Sequence, residues 1–552
     1  MDSSGLTTVP FRLTIGVTGH RELEDTETIR ETVRQVLNEI LKKYSKYGDT
    51  EIKLCVLSPL AEGADRLVAD EVLKRDGESV LKVVLPLAIS DYLEDFSTEQ
   101  SRQQFRTLME KARTPLTLRK RPLREEYPPE MLKEVRREAY EDVGLFVGNH
   151  CDILIALWDN QPSRGKGGTA NIIANAREKK CPVYIINTKK PSEFTFFSGE
   201  ESSKEIMERT DRLNSHILRL KPQPEYLENQ YNQLSFKLEG PEGAKLPKSI
   251  KDTVKEKLIP YYSVASSLAE YYQKIYRRVG LLIFWLAFTA VSIVGIGVIF
   301  LHSPVYIFII EFFILACISI LIFYANRVKD SHRNWMEYRF LAERLRSAFF
   351  MYICGIELSP AFVNRRAGES AGTDAWMSLA FEEIWNRLPR QSLRGEEKIP
   401  LLKDYIVKAW IDDQIEYHEK NYEKNWRKGK LFENTGETIF YFAIAVAFLH
   451  FATPQLIPQL HSWLLENYLV LAALLLPALA ATVEAIRSHR GYKRLALRSR
   501  KMAWELQGVK DSFRLLTPEK LESTLMEVEQ LMLRETEDWL TLMSFAELYK
   551  AV

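Results

Sequence analysis

Cysteine is scarce in this 552-residue chain: Cys55, Cys151, Cys181, Cys317 and Cys354 are scattered without CxxC or Cys/His spacing. That scatter argues against a zinc site and a disulfide framework, and the thiols read as core side chains in reducing surroundings. An excess of one charge is also missing, since 75 Lys and Arg face 74 Asp and Glu. Without a global positive field, no nucleic-acid polymer is expected as a partner. The opening MDSSGLTTVPFRLTIG has no basic segment followed by an apolar core. No cleavable secretory signal is therefore expected, and the first domain is expected in the cytosol. No metal ligand set and no cofactor motif stands out.

What the chain does have is long apolar runs. Residues 280–301, GLLIFWLAFTAVSIVGIGVIFL, carry no charge, and about 33 Å of helix suffices to cross a hydrocarbon core of roughly 30 Å. After HSP, residues 305–325 are apolar apart from Glu311 and small polar residues, so the two runs predict a tight hairpin. A second hairpin is weaker, because 438–453 is short and 468–486 contains Pro477 and Glu484. A buried helical pair of a soluble domain is its alternative. Lys274, Arg277 and Arg278 precede the first run, and Arg327, Lys329 and Arg333 follow the second. Arg427, Lys428 and Lys430 precede the third, and Arg487, Arg490, Lys493 and Arg494 follow the fourth. Neither connecting turn holds Lys or Arg, so both turns are expected outside. The expectation is a multi-pass protein of the inner (plasma) membrane with both termini in the cytoplasm.

Each hairpin is preceded by an amphipathic stretch, YYSVASSLAEYYQKIYRR from Tyr261 and WIDDQIEYHEKNYEKNWRKGK from Trp410, that would carry the membrane helices into the cytosol. Each is followed by a basic, aromatic-rich helix, SHRNWMEYRFLAERLRSAFF from Ser331 and SHRGYKRLALRSRKMAWELQ from Ser488. Both begin Ser-His-Arg, with Trp335 or Tyr492 three residues after the histidine, which reads as an internal duplication. This pattern resembles the SLATT group of two-helix membrane effector modules, over roughly 261–357 and 399–542. The resemblance implies assembly of several copies and permeabilisation of the membrane.

The first 195 residues read differently. FRLTIGVTGHR starts as a buried strand at Arg12 to Val17 and breaks at TGHR; a helix from about Thr26 follows, with Ile29, Val33, Val36, Leu37, Ile40 and Leu41 on one face. This is not the usual GxGxxG turn, which makes a dinucleotide oxidoreductase a poor fit. IKLCVLSPLAEGADRLVADEVL repeats strand, turn and helix, and SVLKVVLPL, CDILIALW and CPVYIIN supply three more strands. Five apolar, β-branched runs alternating with helices predict an α/β, Rossmann-like, doubly wound and mainly parallel sheet, whose ligands bind beyond the carboxyl ends of the strands. Three turns fall there: TGHR, SPLAEGADR and QPSRGKGGTAN. Glycines allow close backbone approach, Thr169 offers a cap or a hydroxyl, and the forked donors of Arg21 suit a phosphate. The alternative for Arg21 is a surface ion pair with Glu22 or Glu24, and for the glycine loop a tight strand-to-helix turn.

These motifs, with YLEDF (Tyr92 to Phe96), Asp152 and LWDN (Leu157 to Asn160), resemble the SLOG superfamily over about Pro10 to Thr188. The resemblance implies a pocket for a nucleotide-derived ligand lined by Gly19, Arg21, Gly168 and Thr169. With their turn neighbours, the candidate binding residues are Gly16, Thr18, Gly19, His20 and Arg21; Ser58, Glu62, Gly63, Asp65 and Arg66; and Asp159, Gly165, Lys166, Gly167, Gly168 and Thr169. Hydrolytic relatives carry a glutamate three residues after the threonine, whereas Thr169 is followed here by Ala170, Asn171 and Ile172. An aliphatic side chain neither transfers a proton nor stabilises an oxocarbenium ion. No catalytic residue is therefore assigned, although Glu62 or Asp65 could replace the acid; their plainer role is capping and helix-dipole pairing.

The organisation expected is a SLOG-like ligand-binding domain at 1–195, a linker with short helices at 196–260, a first two-helix module at 261–357, a linker at 358–398 and a second module at 399–552. The functional expectation is a homo-oligomeric membrane effector that senses a nucleotide-derived signal and opens or assembles a pore. A membrane-tethered nucleotide, NAD or ADP-ribose hydrolase is the alternative, and a membrane scaffold the third. Glu311, inside its span, would form an acidic ring in an oligomer or a hydrogen-bonded carboxyl within one bundle.

Overall fold

The computed structural model describes residues 6–44, 46–75, 78–162, 168–200, 203–219, 224–301, 304–325, 330–356, 375–389, 399–456, 462–514 and 520–544. The chain divides into two compact units, one of residues 2–222 with 358–388, the other of 223–357 with 389–552.

In the first unit the apolar runs become strands β1 (Phe11–Gly19), β3 (Thr50–Ser58), β4 (Val80–Leu85), β6 (Ile153–Trp158) and β7 (Val183–Asn187). Three strands join them that the pattern of apolar runs does not reveal: β2 (Lys46–Tyr47), β5 (Ala112–Thr117) and β8 (Phe194–Phe197). The sheet order is β5-β4-β3-β1-β6-β7-β8, with β2 on β3. All pairs are parallel except β2 with β3 and β7 with β8. The chain leaves β1 towards β3 on one side and returns to β6 on the other, so β1 is the topological switch point where such sheets hold ligands. Helices α1 (Thr26–Lys43), α2 (Ala64–Leu73), α3 (Ile89–Leu93), α4 (Glu99–Lys111), α5 (Leu123–Glu126), α6 (Leu132–His150), α7 (Thr169–Glu178) and α8 (Lys204–Arg219) complete the alternation. Two β1 residues three apart show that both sheet faces are covered, because side chains alternate along a strand. A methyl on Gly16 would fall 2.7 Å from Cys151, just after α6, whereas one on Gly19 would fall 2.5 Å from the Cβ of Ala64 in α2. The helix Ala375–Trp385, within the stretch expected to link the membrane modules, packs into this unit. Its Glu382 pairs with Lys82 of β4 at 2.7 Å and its Glu383 with Arg12 of β1.

The second unit is helical: α9 (Pro224–Glu239), α10 (Lys248–Lys257), α11 (Ile259–Ile296), α12 (Pro304–Phe323) and α13 (Ser331–Ile353). After the Ala375–Trp385 helix, which is α14, follow α15 (Ile399–Ile406), α16 (Asp413–Leu456), α17 (Trp463–Arg490), α18 (Tyr492–Arg514) and α19 (Leu521–Ser544). Among the described residues four helical segments, carrying α11, α12, α16 and α17, are long and apolar enough to cross a membrane. The 38 residues of α11 span about 57 Å, nearly twice a hydrocarbon core. One face of its first half is buried in protein from Ile259 to Tyr276, with Tyr271 on the exposed side, while Leu282, Trp285, Val291 and Ile296 of its second half are exposed. On α12, Tyr306, Phe308, Phe312 and Phe313 are exposed, and on α16, Phe440, Phe442, Phe448 and Phe451. In water each such side chain would cost about 2 kcal/mol or more, so both hairpins fit lipid better than the interior of a soluble domain.

The duplicated Ser-His-Arg falls on different sides of a helix break. Ser331 opens α13, after Asp330 in the left-handed region (φ 43°), whereas Ser488 to Arg490 close α17 and Gly491 (φ 61°) supplies the left-handed cap before α18. The second basic helix thus starts at Tyr492 rather than Ser488.

Candidate functional site at the carboxyl edge of the sheet

The backbone itself brings the turns together. The amide of His20 donates to the Leu157 carbonyl of β6 at 3.1 Å, and the His20 carbonyl accepts from Ala64 at the start of α2 at 3.1 Å. Gly63 (φ 76°) sits against the carbonyls of His20 and Arg21, where a side chain has no room. The first and second turns therefore close on each other. The third joins through Asp159: its Oδ1 lies 3.1 Å from His20 Nε2, and its amide is 3.2 Å from the same nitrogen. A neutral Nε2 accepts the amide; a protonated one donates to the carboxylate. Burial opposes the charge of Asp159, but the Gln161 amide and His20 hold its carboxyl below the usual range.

The other candidates divide by what they touch. Thr18 and Ser58 are buried, and Ser58 Oγ accepts from the Leu60 amide at 3.0 Å, shaping the turn. Glu62 accepts from the amide and hydroxyl of Ser97 at 3.2 and 3.0 Å and from the Ser101 hydroxyl. Arg66 donates from Nε to the Leu60 carbonyl at 3.0 Å and from Nη1 to Ser101, with its guanidinium 4.5 Å from the Phe96 ring centroid. These two side chains tie the second turn to the YLEDF segment, whose Tyr92 is fully buried and donates to the Pro59 carbonyl at 3.1 Å. Arg66 Nη2 is buried without a hydrogen-bond partner, and burial lowers the pKa of this guanidinium. Asp152 is also internal, its Oδ2 accepting from the Thr14 amide at 2.7 Å.

Arg21 stays exposed at the edge, 5.0 Å from the Tyr140 ring centroid, and not on Glu22 or Glu24; Glu24 pairs with Lys189. Tyr140 in turn donates to Asp95, which also accepts from Arg136 at 2.5 Å. Tyr140 and Arg136 carry no motif; only the fold places Tyr140 beside Arg21, with Arg136 joined to it through Asp95. Beneath Arg21, Asp65 is buried and accepts from the Ala61 amide at 3.1 Å. Burial pushes its carboxyl up to about 7, with the Ala61 amide, Arg21 and Arg66 only partly opposing.

Gly168 and Thr169 open α7, and among the described residues no side chain caps its first turn. Gly165, Lys166 and Gly167 lie outside the described residues. Among the described residues no cluster of His, Cys, Asp and Glu is arranged to hold a metal ion. Glu311 lies half-buried on α12 of the second unit. The edge thus presents an exposed guanidinium, an imidazole–carboxylate pair, an uncapped helix start and, below them, a carboxyl that titrates near neutrality. That set can hold an anion and exchange one proton. No family model matches the sequence, and no curated protein matches it.

Proposed function

We propose that the chain is a membrane effector whose α/β unit binds a nucleotide-derived anion and whose helical hairpins respond by opening or assembling a membrane path. The observation that carries this reading is the convergence of three turns on Arg21, His20 and Asp159 in a chain that also carries four membrane-length helices. The likeness of the turns to SLOG sensors and of the hairpins to SLATT modules supports the same reading. In it the protein sits in the plasma membrane with both termini cytoplasmic, several copies assemble, and repeated Glu311 side chains form an acidic ring. The ligand must bind one assembly state more tightly than the other to have any effect. The test is dye leakage from liposomes bearing the full chain, with cyclic oligonucleotides or ADP-ribose derivatives added. Leakage is expected only with a compound that binds, and Arg21→Ala should abolish both. A compound that binds tightly without causing leakage would refute gating.

A second reading is favoured by Asp65, whose near-neutral carboxyl is the protonation state a general acid needs. In this reading the edge cleaves a nucleotide glycosidic bond, and Asp65 replaces the acid missing after Thr169. Incubating the protein with nucleotides, NAD or ADP-ribose and looking for released base separates the two readings.

A further inference from the structure

The two hairpins repeat more than Ser-His-Arg. In α11, Tyr276 precedes Gly280 by four residues and Ile283-Phe284-Trp285 follows; in α16, Phe432 precedes Gly436 by four and Ile439-Phe440-Tyr441 follows. The rings agree in three dimensions: Tyr276 meets Trp335 at 5.6 Å and 34°, and Phe432 meets Tyr492 at 5.6 Å and 34°. Trp335 and Tyr492 are the aromatics three residues after the two histidines, so α11, α12 and α13 correspond to α16, α17 and α18.

In the first copy this face is covered. The second copy's His489 fills the notch at Gly280, so that a methyl there would collide with its ring, and Arg490 donates to the Arg277 carbonyl at 3.1 Å. Deeper along α11, Gly295 lies against Leu474, and just beyond its end Phe300 packs on Tyr468 at 5.3 Å. Small residues let helices approach closely in lipid, where packing replaces the hydrophobic drive. In the second copy the same face is open. Phe284 is 6% exposed but its counterpart Phe440 is 53% exposed. A methyl on Gly436 would meet only Val483, of its own hairpin, at 3.8 Å. Beside it lies an open groove of about 730 Å³, lined among others by Gly429, Glu433, Glu437, Arg487 and Tyr492.

A contact from one face to a different face is heterologous, and each chain keeps one unused half of it at either end. The unused halves are the Gly436 face of α16 and the side of α12, the counterpart of α17, on which Tyr306, Ile314 and Cys317 stand where Trp463, Leu471 and Leu474 stand on α17; Tyr306 and Cys317 are exposed. We infer that α12 of a second copy docks on the Gly436–Phe440 face of α16, repeating between chains the contact that α17 makes with α11 within one. Repeated, it produces a ring or a filament with two modules per chain. It requires no ligand at the sheet edge, so loss of ligand binding in Arg21→Ala leaves it intact.

The experiment is mass photometry of the full chain in nanodiscs of phosphatidylethanolamine and phosphatidylglycerol. Wild type is expected above one chain. Gly436→Leu is expected at one chain, and Gly508→Leu, whose site on α18 has open space, at the wild-type mass. A second readout is a disulfide. The repeat places Phe451 where Gly295 stands and the exposed Cys317 where Leu474 stands, so oxidation of Phe451→Cys should give a linked dimer that Cys317→Ser removes. If Gly436→Leu loses helicity, this cross-link decides alone. A wild-type mass of one chain, an unchanged Gly436→Leu mass or the lack of a Cys317-dependent dimer would mean that lipid alone covers this face.

Discussion

Asp65 shows how one side chain separates a structural from a chemical role. Its folded carboxyl releases its proton near pH 7, the unfolded one near its ordinary 3.8. Between those values the unfolded chain binds fewer protons, so stability falls as pH rises and the loss is complete above about 7. Asp65→Asn keeps an acceptor for the Ala61 amide and removes the loss. At pH 8 the variant should be more stable by about 1–3 kcal/mol, and at pH 5 the gap should shrink. Thermal melting of the full chain at the two pH values reads this directly. A wild type that melts higher than Asp65→Asn at pH 8 would make Asp65 the ionised partner of Arg21 and Arg66.

At the scale of elements, what the sequence discloses depends on how many faces of an element are buried. Strands β1, β3, β4, β6 and β7 are covered on both faces, so their runs are continuously apolar and legible, with ends shifted by at most two residues. Strand β5, ARTPLT, and strand β8, FTFF, lie at the two ends of the sheet order, where one ladder suffices and polar residues or proline are tolerated. The turns were legible because glycine and a left-handed bend leave a signature. The Tyr140–Asp95–Arg136 surroundings of Arg21 were not, because α6 and the turn after α3 lie far from Arg21 in the sequence and only the fold brings them together. Nor was the docking of α14, which rests on charge pairs distant in sequence. The Arg12 and Glu383 side chains are 11% and 8% exposed, so their pair is little screened. A double-mutant cycle to Ala should give a coupling of about 1–3 kcal/mol, against less than about 0.5 for the exposed Arg427–Glu423 pair on α16. Equal couplings would mean that α14 is held by its apolar residues Trp376, Met377 and Phe381 alone.

At the scale of the whole molecule, the duplication changes what a membrane response requires. Two separate hairpins would move independently, but His489 in the Gly280 notch and Leu474 on Gly295 lock α17 of the second module along α11 of the first. Tyr276 joins the lock, stacked on His332 of its own module at 4.6 Å and 4.9 Å from His489. Both histidines are drawn out of water at that ring, and burial holds His332 down to about 4, so its imidazole is neutral across physiological pH, and the charge at the joint is that of Arg490, which donates to the Arg277 carbonyl. A signal that bends or rotates α11 therefore reaches α17 through packing and the Arg490 hydrogen bond rather than through a histidine charge. Gly280→Leu would expel the His489 ring while touching nothing at the sheet edge. The expected outcome is a chain that binds its ligand with unchanged affinity but leaks at least tenfold less in liposomes. Titrating binding and leakage on the same reconstituted sample checks both. Unaltered leakage from that variant would place the moving part in one hairpin alone, and lost binding would mean that the substitution damaged the fold as a whole.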